Sequence, residues 1–274
     1  RKNSYISMQD YEKLFQKEYQ PLIEEILIAT LPYRGSMQLL LKDLKDISAL
    51  EKILKFYESK STYRLTQREK NLMSGLYQAL YEIYNDKYDI KVKNDSKKEY
   101  FMQKGAEIGN VYLESEYAEF LENKKEYEKA VDFYKKAALQ ESNYANYSLG
   151  YAYLNGELGL LKDFDKAIKY FERGSKNGHV SSKCMLARMY GLGEGFKRDP
   201  ETSKEILQFV FDYNSHDEIP EYCNSVYKIL ELETVVVKKQ KKLVKEDVYN
   251  ALKPSEKENK QDETQASLDA GFDR

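Results

Sequence analysis

The chain has no tryptophan, two cysteines, two histidines and five prolines in 274 residues. Each shortage excludes something. Two cysteines, Cys184 and Cys223, build neither a disulfide framework nor a zinc site by themselves. The histidines, His179 and His216, leave few candidates for a general base, and no GxSxG elbow, P-loop or HExxH run is present. His179 falls at the end of a helical stretch and His216 in the polar run NSHDE, so both read as capping or turn residues. Neither sign of charge dominates: 44 basic residues stand against 46 acidic ones, a net charge of -2. Nucleic-acid binding, which needs a basic excess on one face, is not expected. The longest apolar clusters, LLL at 39–41 and VVV at 235–237, fall far short of the roughly 18 to 20 residues of a membrane span. An initiator Met is also missing from RKNSY at the start. The reading leans to an exported, periplasmic protein that has lost its signal, with trimming and a cytoplasmic location as the alternative.

What is abundant points to helix. Lys, Glu, Leu, Ala and Tyr dominate, and the 25 tyrosines are expected chiefly to pack between helices with their hydroxyls wet. Three segments align with one another, starting at Ser115, Tyr144 and Ser181. Each holds a helical stretch, a polar or Gly-rich loop and a second helical stretch. Small residues set the register: Ala118, Gly150 and Ala187 midway along the first helix, and Ala130, Ala167 and Ser203 early in the second. The steps are 32 residues from 118 to 150, then 37 from 150 to 187. Such periods belong to two-helix solenoid units, in which small side chains let helices cross closely. Phe133, Tyr134, Tyr170, Phe171, Ile206 and Leu207 are placed to fill the grooves beside them. Gly156, Gly159, Gly193 and Gly195 release the chain from the first helices, and Gly178 closes a second helix. Asp163 and Asp199 stand as N-caps, with Pro200 in the first turn that follows.

The pattern resembles the Sel-one-like repeat family, a relative of tetratricopeptide repeats. The likeness rests on Leu149, Gly150, Tyr153, Gly156, Asp163, Lys166, Ala167 and Tyr170 in one repeat. In the next it rests on Leu186, Ala187, Tyr190, the run from Gly193 to Phe196, and Asp199. Ala at 118 and 187 and Ser203 depart from the family's Gly and Ala, and the segment 115–139 has a shorter loop, closer to a plain tetratricopeptide unit. A further unit is expected upstream, its first helix Thr66–Tyr84 and its second within 97–110. The expected fold is therefore all-α, an α/α solenoid of antiparallel helix pairs. It divides into an N-terminal helical cap (1–65), repeats (66–233), and a charged C-terminal helix with a disordered tail (234–274). Within the cap, helical spacing over 8–30 and 36–59 puts Leu14, Leu22, Ile26, Leu40, Leu44, Ile47 and Leu54 on apolar faces.

The glycines of GLGEG at 191–195 follow no strand, so the repeat loop accounts for them better than a phosphate does. Carboxylate pairs such as Glu24 and Glu25, or Glu231 and Glu233, read as solvated partners of lysines. The basic run KKQKKLVK at 238–245 reads as a solvated helix end. Cys184 and Cys223 fall on successive first helices but two positions out of register, and free thiols are expected. No metal and no cofactor are expected, and no catalytic residue is assigned.

In tetratricopeptide-like arrays the first helix of each pair lines the concave face, and the resemblance carries that over by register. It assigns Tyr112, Ser115 and Glu119 from one unit, Tyr144, Tyr147 and Tyr151 from the next, and Ser181, Cys184 and Arg188 from the third. Tyrosine and arginine dominate interface energetics, so a protein partner is expected there. The alternative is that these rings pack between neighbouring repeats. The function implied is a non-catalytic adaptor, and the resemblance extends it to an immunity protein that neutralises a secreted toxic effector. The competing reading is a Sel-one-like hydrolase of penicillin-binding or β-lactamase type, for which no catalytic constellation is found.

Overall fold

The computed structural model describes residues 8–29, 47–60, 62–86, 92–215, 219–231 and 242. Among them every regular element is helical. Helices α1 (Met8–Ala29) and α2 (Ile47–Glu58) come first. The pair α3 (Gln67–Tyr84) and α4 (Asp95–Glu107) follows, then α5 (Val111–Asn123) with α6 (Tyr127–Leu139). Next are α7 (Asn143–Asn155) with α8 (Phe164–Lys176), α9 (Val180–Leu192), α10 (Pro200–Tyr213), and α11 over 221–231. The expected α/α solenoid is what forms. The chain divides into two units, 1–186 and 187–274. Leu40, Leu44, His216 and the basic run 238–245 except Lys242 lie outside the described residues.

In the first unit α3 packs with α4, α5 with α6 and α7 with α8, while α4–α5 and α6–α7 contacts join successive pairs. Connections of about three residues force antiparallel neighbours. One turn recurs at the short connections, three times between pairs and once within the α5–α6 pair. The backbone N–H of Asn110, Ser142 and His179 each donates to the carbonyl five residues back, on Gly105, Ala137 and Gly174, and Glu126 does the same to Leu121. The residue before each donor is left-handed: Gly109, Glu141, Gly178 and Lys125. These are Schellman closures, and two of the four place a long charged side chain where glycine is cheapest. The longer loops within pairs close alike. Asp163 N–H reaches the Tyr153 carbonyl at 2.8 Å, as Asp199 does that of Tyr190 in the second unit. Asn94 and Tyr84 repeat the bond at 3.3 Å, so the upstream pair shares the repeat's loop. The expected caps form: Asp163 and Asp199 accept from the backbone of Lys166 and Thr202, and Thr66 makes a capping box with Glu69.

Ala118, Ala130, Ala167, Ala187 and Ser203 are all fully buried, and so is Gly150. A methyl on Gly150 would lie 2.7 Å from Cε1 and 2.8 Å from Cδ1 of Phe171, whose ring is sealed in the core. Ser203 stands where alanine was expected because its hydroxyl turns back to the Ala187 carbonyl, leaving no polar group unmet. A second small stripe was not read from the sequence. Gly105, Ala137 and Gly174, with the same steps of 32 and 37 residues, sit late in the second helices against Leu113, Ala145 and Ser182 of the next first helix. A methyl on Gly105 would come within 2.0 Å of Leu113 Cδ1, and one on Gly174 within 2.4 Å of Ser182 Oγ. One stripe closes each pair; the other lets the next pair approach.

Helices α1 and α2 pack on α3, α2 through the expected face with Leu54 buried and Ile47 beside it, α1 through a face centred one residue beyond the expected Leu14 and Leu22. Leu14 is 56% exposed, whereas Phe15 and Ile23 are buried and Phe15 stacks on Phe56 at 4.0 Å. An aromatic ring offers more area to bury than leucine, and it sets the helix's rotation. Leu50, Ile53, Leu54 and Tyr57 form the buried face of α2.

Tyrosine hydroxyls tie neighbouring helices by donating to glutamates. Tyr77 and Tyr100 both donate to Glu58 at 2.8 Å, Tyr81 to Glu116 at 2.5 Å, Tyr84 to Glu51, and Tyr134 to Glu122 at 2.9 Å. Burial first, and the carboxylates after it, push the Tyr77 and Tyr81 phenols far above their ordinary range and Tyr100 up to about 12.

In the second unit, Leu207 and Val210 of α10 and Val226 and Leu230 of α11 are buried, and Gly191 admits Leu230 where a methyl would meet Cδ2 at 2.5 Å. The expectation of free thiols is corrected. Cys184 and Cys223 are both fully buried and both disulfide-bonded. Helix-axis spacing was the wrong measure, since a disulfide depends on where the Cβ atoms point.

Gly150→Ala is expected to lower stability by about 1 to 3 kcal/mol despite alanine's better helix propensity, because the Phe171 ring cannot yield. Glu141→Gly should act oppositely, raising it by up to about 1 kcal/mol through relief of left-handed strain. Urea unfolding followed by circular dichroism decides both. Phenols raised in the folded state bind protons more tightly there than in the unfolded chain. The stability they contribute is complete below pH 10.0 and drains away as pH climbs past it. At about pH 11, phenolate absorbance should be lower for the folded chain than for the chain in urea, and the melting temperature should have fallen.

Candidate protein-binding face

The residues assigned to the concave face fare differently. Tyr112 is half-buried, its ring 6.2 Å from Tyr81, and burial followed by Glu116 raises its phenol. Ser115 is only 5% exposed and spends its hydroxyl on the Val111 carbonyl and on Ser142 Oγ at 2.9 Å. It is a packing residue of the α5–α7 crossing and not a surface one. Cys184 is likewise sealed and cannot touch a partner, because its helix turns that side inward. Ser181 is half-buried, and Arg188 is held at 3.0 Å by Glu194.

The α7 tyrosines and Glu119 come together. Tyr144 is 43% exposed and donates at 2.8 Å to Glu119, which α5 presents to it from the preceding pair. Tyr151, 38% exposed, lies one turn beyond Tyr147, their rings 6.2 Å apart. Tyr147 is half-buried between them, its ring 6.0 Å from Phe171 and 5.6 Å from His179. Tyr147 therefore packs within the repeat, while Tyr144 and Tyr151 present area to solvent. His179 is pushed below its ordinary pKa by burial and pairs with Ser182 at 2.9 Å, which makes it a helix-joining residue as expected.

Behind the stripe lies a cavity of about 170 Å³ between Tyr134, Tyr144, Tyr147 and Tyr151, with Glu122 and Glu157 on its wall. The sequence reading missed both glutamates. They stand at the end of one first helix and just after another, and Glu122 comes from the preceding repeat. Two larger clefts were also unread. One of about 410 Å³ is lined by Tyr57, Lys60, Met73, Tyr77 and Lys104, and one of about 360 Å³ by Leu54, Lys55 and Lys97. Glu58 and Tyr100 belong to both. Among the described residues there is no group of three or more His, Cys, Asp or Glu side chains placed to hold a metal, and no helix long and apolar enough to cross a membrane. The glycines of GLGEG serve the loop: Gly193 and Gly195 are left-handed, and Arg198 Nε donates to the Gly191 carbonyl.

Comparisons with known proteins bear on this arrangement. The Sel1 repeat model matches residues 124–142, 143–179 and 180–208. Cytochrome c oxidase assembly factor 7A of Xenopus laevis is 34% identical over 79 residues, 28% of this chain and 33% of that protein. Cytochrome c oxidase assembly factor 7 of Xenopus tropicalis is 32% identical over 80 residues, 28% of this chain and 34% of that protein. The chain thus matches about a third of the length of these curated relatives. Among solved structures, a protective antigen of uropathogenic Escherichia coli with an SLR fold superposes with a TM-score of 0.55 at 20% identity, over 76% of this chain and 42% of that one. Residues 124–208 therefore carry three consecutive Sel1-type repeats, with Gly150 and Ala187 on their shared register, and the chain has the helical-repeat fold of that antigen.

Proposed function

We propose that the chain is a non-catalytic binding module that grips a protein partner on the face of α5 and α7. The observation that carries this is the exposed tyrosine area of Tyr144 and Tyr151, fixed in place by Glu119 and by the packing of Tyr147. Rigid aromatic area with hydroxyls at its edge gains binding energy at small entropic cost. Glu119 and Tyr112 extend the face along α5. Arg188 is already paired with Glu194. A matched segment shared with two assembly factors supports a role in contacting other proteins. An immunity role is the narrower form of the proposal. It requires the partner to be a secreted toxic effector whose activity falls on one-to-one titration with this chain.

Capture from the native organism with the full chain as bait tests the proposal. A stoichiometric partner should be retained, and Tyr151→Ala should weaken it by about tenfold or more while shifting stability by no more than about 0.5 kcal/mol. Tyr147→Ala should weaken it too, with some loss of stability because Phe171 and His179 lose a neighbour. Turnover of a hydrolase substrate panel by the chain alone would overturn the reading.

A further inference from the structure

The cavity behind the tyrosine stripe has a chemistry of its own. Its volume, about 170 Å³, lies below the roughly 300 to 1,000 Å³ of small-molecule and cofactor sites and suits a single long side chain. Four tyrosines line it, Tyr134, Tyr144, Tyr147 and Tyr151. Tyr134 donates to the Glu122 carboxylate at 2.9 Å, which fixes that charge on the wall. Glu157 brings a second carboxylate from the loop after α7. No lysine or arginine lines the cavity, and neither glutamate is ion-paired among the described residues, although the chain pairs its charges widely elsewhere.

Occupants can be sorted by what each would do to those carboxylates. An apolar side chain would strip water from Glu122 and return no counter-charge, a cost of several kcal/mol by order of magnitude. An anionic side chain would meet two like charges. A cationic one gains the carboxylates and the negative faces of the tyrosine rings together. We propose that this cavity receives the charged end of a lysine or arginine presented by the protein partner, so that the partner's anchor residue is basic. The inference rests on the binding face proposed above and specifies what that face selects.

The test uses the full-length chain and three small probes: the N-acetyl methylamides of arginine, lysine and citrulline. Tyrosine ring resonances are followed by NMR. Signals of Tyr144, Tyr147 and Tyr151 should move with arginine or lysine and stay still with citrulline, which has nearly the shape of arginine without its charge. Movement with one cation only identifies guanidinium or ammonium as the preferred end and supports the proposal equally. The double variant Glu122→Gln, Glu157→Gln keeps an acceptor for Tyr134 and should weaken the cation's binding by about fivefold or more. Equal movement with citrulline, or unchanged binding in the double variant, overturns the proposal. A captured partner that is lost in Tyr151→Ala yet bound normally by the double variant would leave the binding face standing and remove the basic anchor. Cation binding at the cavity with no partner lost in Tyr151→Ala would do the reverse.

Discussion

Close approach of helices at two stripes of small side chains is the constraint on which the rest depends. One stripe, through Ala118, Gly150 and Ala187, sets how tightly the two helices of a pair nest. The other, through Gly105, Ala137 and Gly174, sets how near the following pair can come. Dispersion falls off steeply with distance, so a stack held apart by even one methyl group would forfeit contacts along its whole seam. Large rings then occupy the space that the small residues leave. Phe171 over Gly150 is the clearest case, a bulky side chain whose site exists only because its neighbour has none.

The tyrosines take a second share of the work. A repeat array has much surface for its volume, and a chain without tryptophan fills its grooves with rings whose far ends must be satisfied. Glutamates on the adjoining helix answer them, at Glu58, Glu116, Glu119 and Glu122. These contacts join neighbouring elements of the stack, and one of them holds the exposed Tyr144 ring of α7 in one orientation. The same clasps that order the fold thereby shape the face offered to a partner.

Much of this was legible in the sequence, and the parts that were not share a reason. The register, the caps at Asp163 and Asp199 and the pairing of Thr66–Tyr84 with the next helix all follow from residue types that have one dominant structural use. The turns at Lys125 and Glu141 did not, because nothing marks a lysine or glutamate as left-handed until the helices on either side demand it. Ser203 looked like a departure and is a hydrogen-bonded equivalent of alanine. The buried face of α1 was misplaced by one residue because Phe15 outweighs Leu14 in area. At the binding face, Tyr144, Tyr147 and Tyr151 could be read as a stripe from their spacing alone. Ser115 and Cys184 share their register positions yet point inward, since equivalent places in neighbouring repeats are covered to different extents. Glu122 and Glu157 were invisible because a cavity wall built from two repeats leaves no local signature.

The loop between α7 and α8 is longer than its counterpart between α5 and α6 and closes by a different bond. Its two ends are pinned by the bonds from Gly156 to Ala152 and from Asp163 to Tyr153, while Leu161 stands 87% exposed at its crest. Leu158 and Leu160 pack against the core, so the part of the loop that the stack does not use is Leu161 itself. A foreign peptide spliced in between Leu161 and Lys162 would leave those contacts in place and ride outside the repeats as a tethered passenger.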